Sequence, residues 1–472
     1  MRRLAAILTI APLATVTPYA RAQQVHAAAP AGEGSLFVSD SDEPEPDAAE
    51  EAGGPGVQSQ SFKEVPESSS KAWPWDSDTL SGNWGGVRDD LGTKGIVFSG
   101  TATADLSTVL SGGTRRGFLM PYLVDANLSV DFGKLGLWKG GEAFADFQQA
   151  GCTQQPTRYV ADFWGWDSIN PMESSYTQMA QYWIGQSFAD GAIKLKLGKM
   201  DANVDFSVSY PGLLFVNSAA YYPGPLVTEM PTFPNQAGGF EVLLKPLEWL
   251  HARFGMFDGS TNQFDPQTGG AGAPTGDHGL GGFLWDNPGA YFLIAEAGPR
   301  WSNDGMTGHL DFGWWQQTGE SVTPPISAAG GSMQSVPGPW GLYVTAAQDL
   351  YRPAGDADGR KLSAFGQFGW GDPQGDPSQW SVMGGASWQG VLPDRAGDTL
   401  GALVAYSQFS GNPALSVSPG QGELVVEAFY NVKLNSWLSL QPDLQFINQP
   451  TQVAGSGAPD TWILTFRVSV NF

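Results

Sequence analysis

The last twelve residues, Thr461 to Phe472, read TWILTFRVSVNF. Trp462, Leu464, Phe466, Val468, Val470 and Phe472 fall on one side of an extended chain. Thr461, Thr465, Arg467, Ser469 and Asn471 fall on the other, and only Ile463 breaks the polar set. Successive side chains of a β-strand point to opposite faces, so this period of two predicts a strand with one apolar and one polar face.

The same alternation recurs upstream. Tyr122, Val124, Ala126, Leu128, Val130 and Phe132 oppose Asp125, Asn127, Ser129 and Asp131; Ile193, Leu195 and Leu197 oppose Lys194, Lys196 and Gly198. Leu424, Val426, Ala428, Tyr430 and Val432 oppose Glu423, Glu427 and Asn431. In a soluble sandwich the apolar faces would form a core, whereas in a membrane barrel they meet lipid and the polar faces line a lumen. A soluble all-β domain covering 95–472 without a helical layer would be unusually large, and no linker divides it. The expected fold class is therefore all-β, a transmembrane antiparallel β-barrel. A chain ending on Phe472 in such a strand has the general terminus of outer-membrane barrels, which makes Phe472 the expected contact for the barrel-assembly machinery.

Sixteen strands are predicted, near 95–108, 121–132, 141–149, 178–188, 192–200, 238–245, 250–257, 290–298, 307–316, 340–348, 362–370, 379–388, 398–407, 423–432, 437–446 and 462–472. Long connections alternate with short ones, the pattern of long outside loops and short periplasmic turns, which predicts both termini in the periplasm. A charged side chain facing lipid at mid-bilayer costs roughly 2–4 kcal/mol for Lys or Arg. At mid-height, Lys194, Lys196, Arg253, Arg467, Glu142, Asp146, Glu427 and Asp443 thus belong on the lumen face. Near an interface the cost falls to about 0–1 kcal/mol.

The other end of the chain has a different character. Arg2 and Arg3, an apolar run over 4–17 and Ala20-Arg21-Ala22 predict a signal peptide over 1–22. Residues 23–79 are acidic, without periodicity and poor in large apolar side chains, so a disordered periplasmic segment is expected there. The 472-residue chain holds 24 Lys+Arg against 47 Asp+Glu, a net charge of −23, with 62 Gly, 18 Trp and a single Cys. That balance excludes nucleic acid as a partner, and one cysteine excludes a disulfide framework. The span 80–472, the expected barrel domain, carries 19 basic and 35 acidic residues, which would draw cations to its mouths. The many glycines fit turns and small lipid-facing positions.

Several segments resemble the carbohydrate-selective porins of Gram-negative outer membranes. One is the Trp84-Gly85-Gly86-Val87-Arg88 run before the first strand, and another is Gly136-Leu-Trp138-Lys139-Gly140-Gly141. A third is Tyr182-Trp183-Ile-Gly-Gln186-Ser-Phe188, running into Leu195-Lys-Leu-Gly198-Lys199-Met-Asp201-Ala-Asn203-Val-Asp205-Phe206. Phe254-Gly-Met-Phe-Asp258-Gly259 and the stretch from Glu427 to Gln445 complete the set. Gly185 and Lys139 depart from the pattern. The resemblance implies a sixteen-stranded barrel and passive uptake of mono- and oligosaccharides.

A pore for a neutral, hydroxyl-rich ring needs aromatic faces and hydrogen-bonding side chains at a narrow point. The longest connection, 201–237, is the expected constriction, since so long a free loop is unusual. Its candidates are Asp201, Asp205, Tyr221 and Tyr222, beside Lys194, Lys196, His251, Arg253, Glu142 and Asp146 on the wall. The wall residues read equally as ion pairs that only brace the barrel. Trp164 and Trp166, in the 150–177 loop, are candidates for an outer sugar-stacking surface or for loop core. No HExxH, GxSxG, P-loop or GxGxxG is present, so no enzyme, catalytic residue, metal or cofactor is expected. A general or cation-preferring porin, and a cell-surface β-protein without a channel, are the alternatives. A monomer and a homotrimer both fit.

Overall fold

A computed structural model describes residues 77–472 apart from 155–158, 170–174, 260–263, 266–269, 272–289, 304, 320, 324–333, 337, 354–358, 413–414, 416–419 and 451–457. The expected signal peptide and the acidic segment up to residue 76 lie outside the described residues.

All sixteen predicted segments are strands. They are β1 (Ile96–Ser111), β2 (Pro121–Asp131), β3 (Gly141–Cys152), β4 (Ser175–Phe188), β5 (Ile193–Met200), β6 (Ala237–Leu247), β7 (Leu250–Asp258) and β8 (Tyr291–Asn303). There follow β9 (Met306–Gln317), β10 (Trp340–Tyr351), β11 (Lys361–Gly371), β12 (Ser378–Gln389), β13 (Thr399–Phe409), β14 (Gly422–Lys433), β15 (Leu438–Asn448) and β16 (Thr461–Asn471). Each pairs antiparallel with the next. β16 returns to β1, from Thr101↔Asn471 to Ser111↔Trp462, so the sheet is closed and leaves no edge. A short additional strand, Gly117–Leu119, pairs with β1 at its long-loop end. Cys152 closes β3.

Sidedness follows the alternation. Trp462 and Phe466 are exposed on the outer face of β16, while Arg467, next to Phe466, is 1% exposed and points inward. There its guanidinium makes two bonds to Asp105 of β1, at 2.8 and 2.7 Å. This buried pair ties the first strand to the last. Ile463, the one exception to the pattern, also points inward and is fully buried in a core formed with loops inside the barrel. The glycines bear out one expectation only in part: Gly366 and Gly384 face outward, but others do not. Gly313, Gly341 and Gly401 are not small lipid-facing positions: each makes room for an aromatic ring on the neighbouring strand, Tyr343, Trp315 and Phe429 respectively. A Cβ at any of the three would collide with that ring.

Residues 77–95 clasp the seam at the short-turn end. Gly85 and Gly86 adopt φ of 70° and 101°, which favours glycine, and release the chain into a helix, Val87–Thr93. Arg88 donates to the carbonyls of Phe98 (2.8 Å) and Phe472 (3.3 Å), and the Leu80 amide donates to Asn471 (2.9 Å). The Trp-Gly-Gly-x-Arg run thus holds the last strand against the first.

Candidate functional site

The connection between β5 and β6, residues 201–236, does not project from the barrel. It is built of short 3₁₀ turns: Ala202–Val204, Tyr210–Gly212, Ser218–Ala220 and Gly224–Leu226. Local side chains set them. Asp201 Oδ1 accepts from the Asn203 amide and Asn217 Oδ1 from the Ala219 amide, each at 2.9 Å, while Pro211 and Pro225 supply the φ that opens a turn. Between turns the backbone finds its partners on the inner wall. Glu296 (β8) accepts from the Ser207 amide at 2.8 Å. Glu427 (β14) accepts from the amides of Val216 (2.5 Å) and Asn217 (3.1 Å). Ser381 (β12) accepts from the Gly224 amide at 2.7 Å, and Gln441 (β15) donates to the Leu214 carbonyl at 2.8 Å. The loop therefore crosses the lumen from one wall to the other.

Apolar contacts hold its far side. Phe215 is fully buried, with ring centroids 5.6 Å from Phe365 (β11) and 4.8 Å from Phe429 (β14). Burial of one such side chain contributes about 1.5–3 kcal/mol. A second inner segment, 159–169, packs on the first. The Ser168 amide donates to Val216 (2.8 Å) and the Ser218 amide to Gly165 (3.0 Å). Glu423 (β14) accepts from the Phe163 amide through both carboxylate oxygens, at 2.9 and 3.0 Å.

The near wall is charged. Lys194 (β5) meets Glu142 (β3) at 2.5 Å. Lys196 (β5) bridges Asp205 of the loop at 2.5 Å and Glu241 (β6) at 2.8 Å. Arg253 (β7) reaches Glu296 at 3.0 Å and also donates to the Asp205 carbonyl. Arg300 (β8) continues the row, donating to His251 Nδ1 at 2.9 Å and to Asp311 (β9) at 3.1 Å. Trp183 (β4), half-buried, lies under both lysines: Lys196 Nζ stands 4.7 Å and Lys194 Nζ 5.5 Å from its ring centroid. Tyr210 of the loop sets its ring edge-on to His309 (β9) at 6.3 Å.

Lys194, Lys196, His251, Arg253, Glu142 and Asp205 thus meet on one inner wall. Lys194 and Glu142 keep side-chain exposures of 15% and 22%, whereas Lys196 is 5% exposed. The remaining candidates sit elsewhere. Asp146 is sealed beneath the loop, accepting from Gln148 at 3.0 Å. Asp201 is spent on the Asn203 and Phe233 amides. Tyr221 and Tyr222 are buried in the loop core, and the Tyr221 hydroxyl faces the Phe215 carbonyl at 2.6 Å. Trp164 and Trp166 are each 1% exposed, so neither offers an open ring face. Sequence reasoning did not single out Trp183 and Glu296 as inner-wall residues, and it placed Glu423 on the polar face without its role in holding a loop. Their signal was an aromatic or acid on the polar side of an alternating strand, and the backbone amides they serve carry no side-chain signature.

Two loop carboxylates are displaced in opposite directions. Burial pushes Asp205 up, but the Lys196 and Arg253 charges outweigh it and hold the group at about 2. Asp162 is buried without such a cation and is pushed up to about 7, against the pull of its backbone hydrogen bonds, including that from the Gly165 amide at 2.9 Å.

Among the described residues no helix is long and apolar enough to cross a membrane, which says nothing of a barrel. The chain is 24% identical to Porin B of Pseudomonas aeruginosa over 425 residues, 80% of this chain and 88% of that one. Its fold is similar to a high-pH structure of Pseudomonas putida OprB, with a TM-score of 0.71 at 19% identity over 85% of this chain and all of the other. A low-pH structure of the same protein gives a TM-score of 0.54 at 16% identity over the same shares. The family model described as "Carbohydrate-selective porin, OprB family" matches residues 122–472. With the closed sixteen-strand barrel and its inner loops, that match over most of the chain means that this protein belongs to the OprB family of carbohydrate-selective porins.

Proposed function

We propose that sugars cross this passive outer-membrane channel along the charged wall of β3 to β9, opposite the wall that anchors the 201–236 loop. The observation that carries this reading is the division of the inner surface. Glu427, Phe365 and Phe429 hold the loop, while Lys194, Glu142 and Trp183 keep part of their surface uncovered. Trp183, stacked on Phe144 and overlaid by the two ammonium groups, supplies a partly exposed aromatic surface for a sugar ring. Lys194 and Glu142 supply a donor and an acceptor beside it, and Asp205, Lys196 and Arg253 fix the loop at that point. Asp146, Asp201, Tyr221, Tyr222, Trp164 and Trp166 act behind this surface by shaping the loops, and His251 positions Arg300.

The long-loop end faces outside and the short-turn end, with residues 77–95 and Phe472, faces the periplasm. Phe472 is then available to the assembly machinery as the chain folds. The acidic excess of the barrel favours cations among small ions, a property separate from sugar choice. Liposome swelling tests the route. Trp183→Ala and Lys194→Ala are expected to change the swelling rate in glucose while the barrel stays heat-modifiable on gels. Unchanged rates in both variants would remove this wall from the path.

A further inference from the structure

The loops at the long-loop end are almost devoid of basic residues. Across 112–120, 153–174, 201–236, 259–290, 318–339, 372–377, 410–421 and 449–460 they hold thirteen carboxylates but only Arg115, Arg116 and Arg158. Arg115 and Arg116 are adjacent and exposed, and among the described residues neither guanidinium has a carboxylate partner. The nearby Asp460 is engaged with Asn448 (2.9 Å) and the Gln449 amide (3.1 Å). In so acidic a rim, two adjacent cations with no carboxylate partner among the described residues are not explained by wall stability.

Register gives its height. Gly117–Leu119 pairs with β1 so that Phe118 stands opposite Thr108, on the outward face with Leu106 and Leu110, and Phe118 is 52% exposed. Ser111, at the end of β1, stands opposite Trp462, whose outward ring lies 4.9 Å from Phe446. Such rings mark the membrane–water interface. Arg116 is two residues, about 7 Å of extended chain, beyond Phe118. The guanidinia therefore stand just past the aromatic girdle, at headgroup level. The tip is also held in place. Tyr159 O accepts from the Thr114 amide at 3.0 Å, and Arg115 lies over the Tyr159 ring, 5.2 Å from its centroid.

We propose that Arg115 and Arg116 form a docking site for the phosphate groups of an outer-leaflet glycolipid, with Leu110 and Phe118 against its acyl chains. Guanidinium planes match phosphate oxygens through paired N–H bonds, and basic residues beside an anionic membrane surface attract its headgroups. The site lies at the rim, with Arg115 over Tyr159 of the inner segment, and rests on the orientation proposed above.

The test uses the purified full-length protein in detergent, titrated with lipid A or with dephosphorylated lipid A and read as bound lipid by native mass spectrometry. The wild type is expected to hold lipid A and to bind the dephosphorylated form weakly. R115A/R116A is expected to lose lipid A binding about tenfold or more, and R115K/R116K to lose less. Equal binding of the two lipids by the wild type, or of lipid A by wild type and R115A/R116A, would overturn the proposal. If the double variant fails to fold, R116A alone carries the test, because its side chain has no hydrogen-bond or ion-pair partner among the described residues. Labelling of R116C, in a C152S background, by an impermeant maleimide separates the two readings. Labelling on intact cells supports the orientation, and labelling only after lysis overturns it whatever the lipid result.

Discussion

The two inner walls of the barrel use the same strand periodicity for different ends. On β11 to β15 the inward residues are Phe365, Phe429, Glu427, Gln441 and Ser381, and they meet the loop through ring packing and hydrogen bonds to its backbone. On β3 to β9 they are Glu142, Lys194, Lys196, Arg253 and Arg300, which meet the loop at Asp205 and otherwise pair among themselves or with neighbouring acids, while Glu296 beside them accepts from the Ser207 amide. Both walls bind loop backbone, and the first adds the ring packing around Phe215 that fixes where the loop lies. The second leaves part of Lys194, Glu142 and Trp183 uncovered. An ion pair on this barrel is therefore not evidence of a transport role by itself. Arg467–Asp105 has excellent geometry and is buried at the seam, whereas Lys194–Glu142 is partly uncovered.

The sharpest way to break this division is to loosen the anchoring wall. Phe215→Ala removes a fully buried ring between two others, and is expected to cost the docked loop about 3–5 kcal/mol. Limited proteolysis within 201–236 should rise and single-channel conductance should increase, while the barrel itself remains heat-modifiable. Glu427→Ala should act in the same direction but less, about 1–3 kcal/mol, because it strands the Val216 and Asn217 amides without removing the rings.

A pH change probes the second inner segment. Asp162 has a folded pKa of about 7, above its unfolded value of 3.8. Its contribution to docking is thus complete below the unfolded value and lost as pH rises through 7. Hydrogen exchange at 163–169, normalised to the intrinsic rate, should show more protection at pH 5.5 than at pH 8, and Asp162→Asn should abolish that difference. Asp205, held at about 2, should keep its pair with Lys196 across the same range. The smallest stability effect is expected on the charged wall. Lys194→Ala should shift the unfolding midpoint by no more than about 1 kcal/mol, since its pair is partly solvated, yet should alter sugar flux. Lys196→Ala would be a poor probe of flux, because it leaves Asp205 and Glu241 buried without their cation.

The strands were legible because lipid outside and polar side chains inside impose a period of two wherever the wall is crossed. The exceptions were also informative: Ile463 breaks the polar set of its strand because it packs into the loop core, not because the strand is irregular. What could not be read was the destination of each inward side chain. Lys194, Lys196 and Arg467 look alike in an alternating strand; only register brings Glu142 and Asp105, and only docking of the loop brings Asp205, beside them. Trp164 and Trp166 carried the composition of a sugar platform but are buried, whereas Trp183, with no such prominence, is the half-open ring on the charged wall. Loop docking was hidden for a simpler reason. It runs through amides that every residue possesses, and Glu296, Glu423 and Glu427 read merely as acids on a polar face.

The central claim is that a loop held on one wall leaves a sugar path along the other. Planar-bilayer recording of the wild type and Trp183→Ala, with glucose or a glucose oligomer added stepwise, tests it most directly. The account predicts discrete conductance steps that sugar lowers in a concentration-dependent manner in the wild type, and to a smaller extent in the variant. Steps that sugar leaves unchanged, or that respond identically in both proteins, would contradict it.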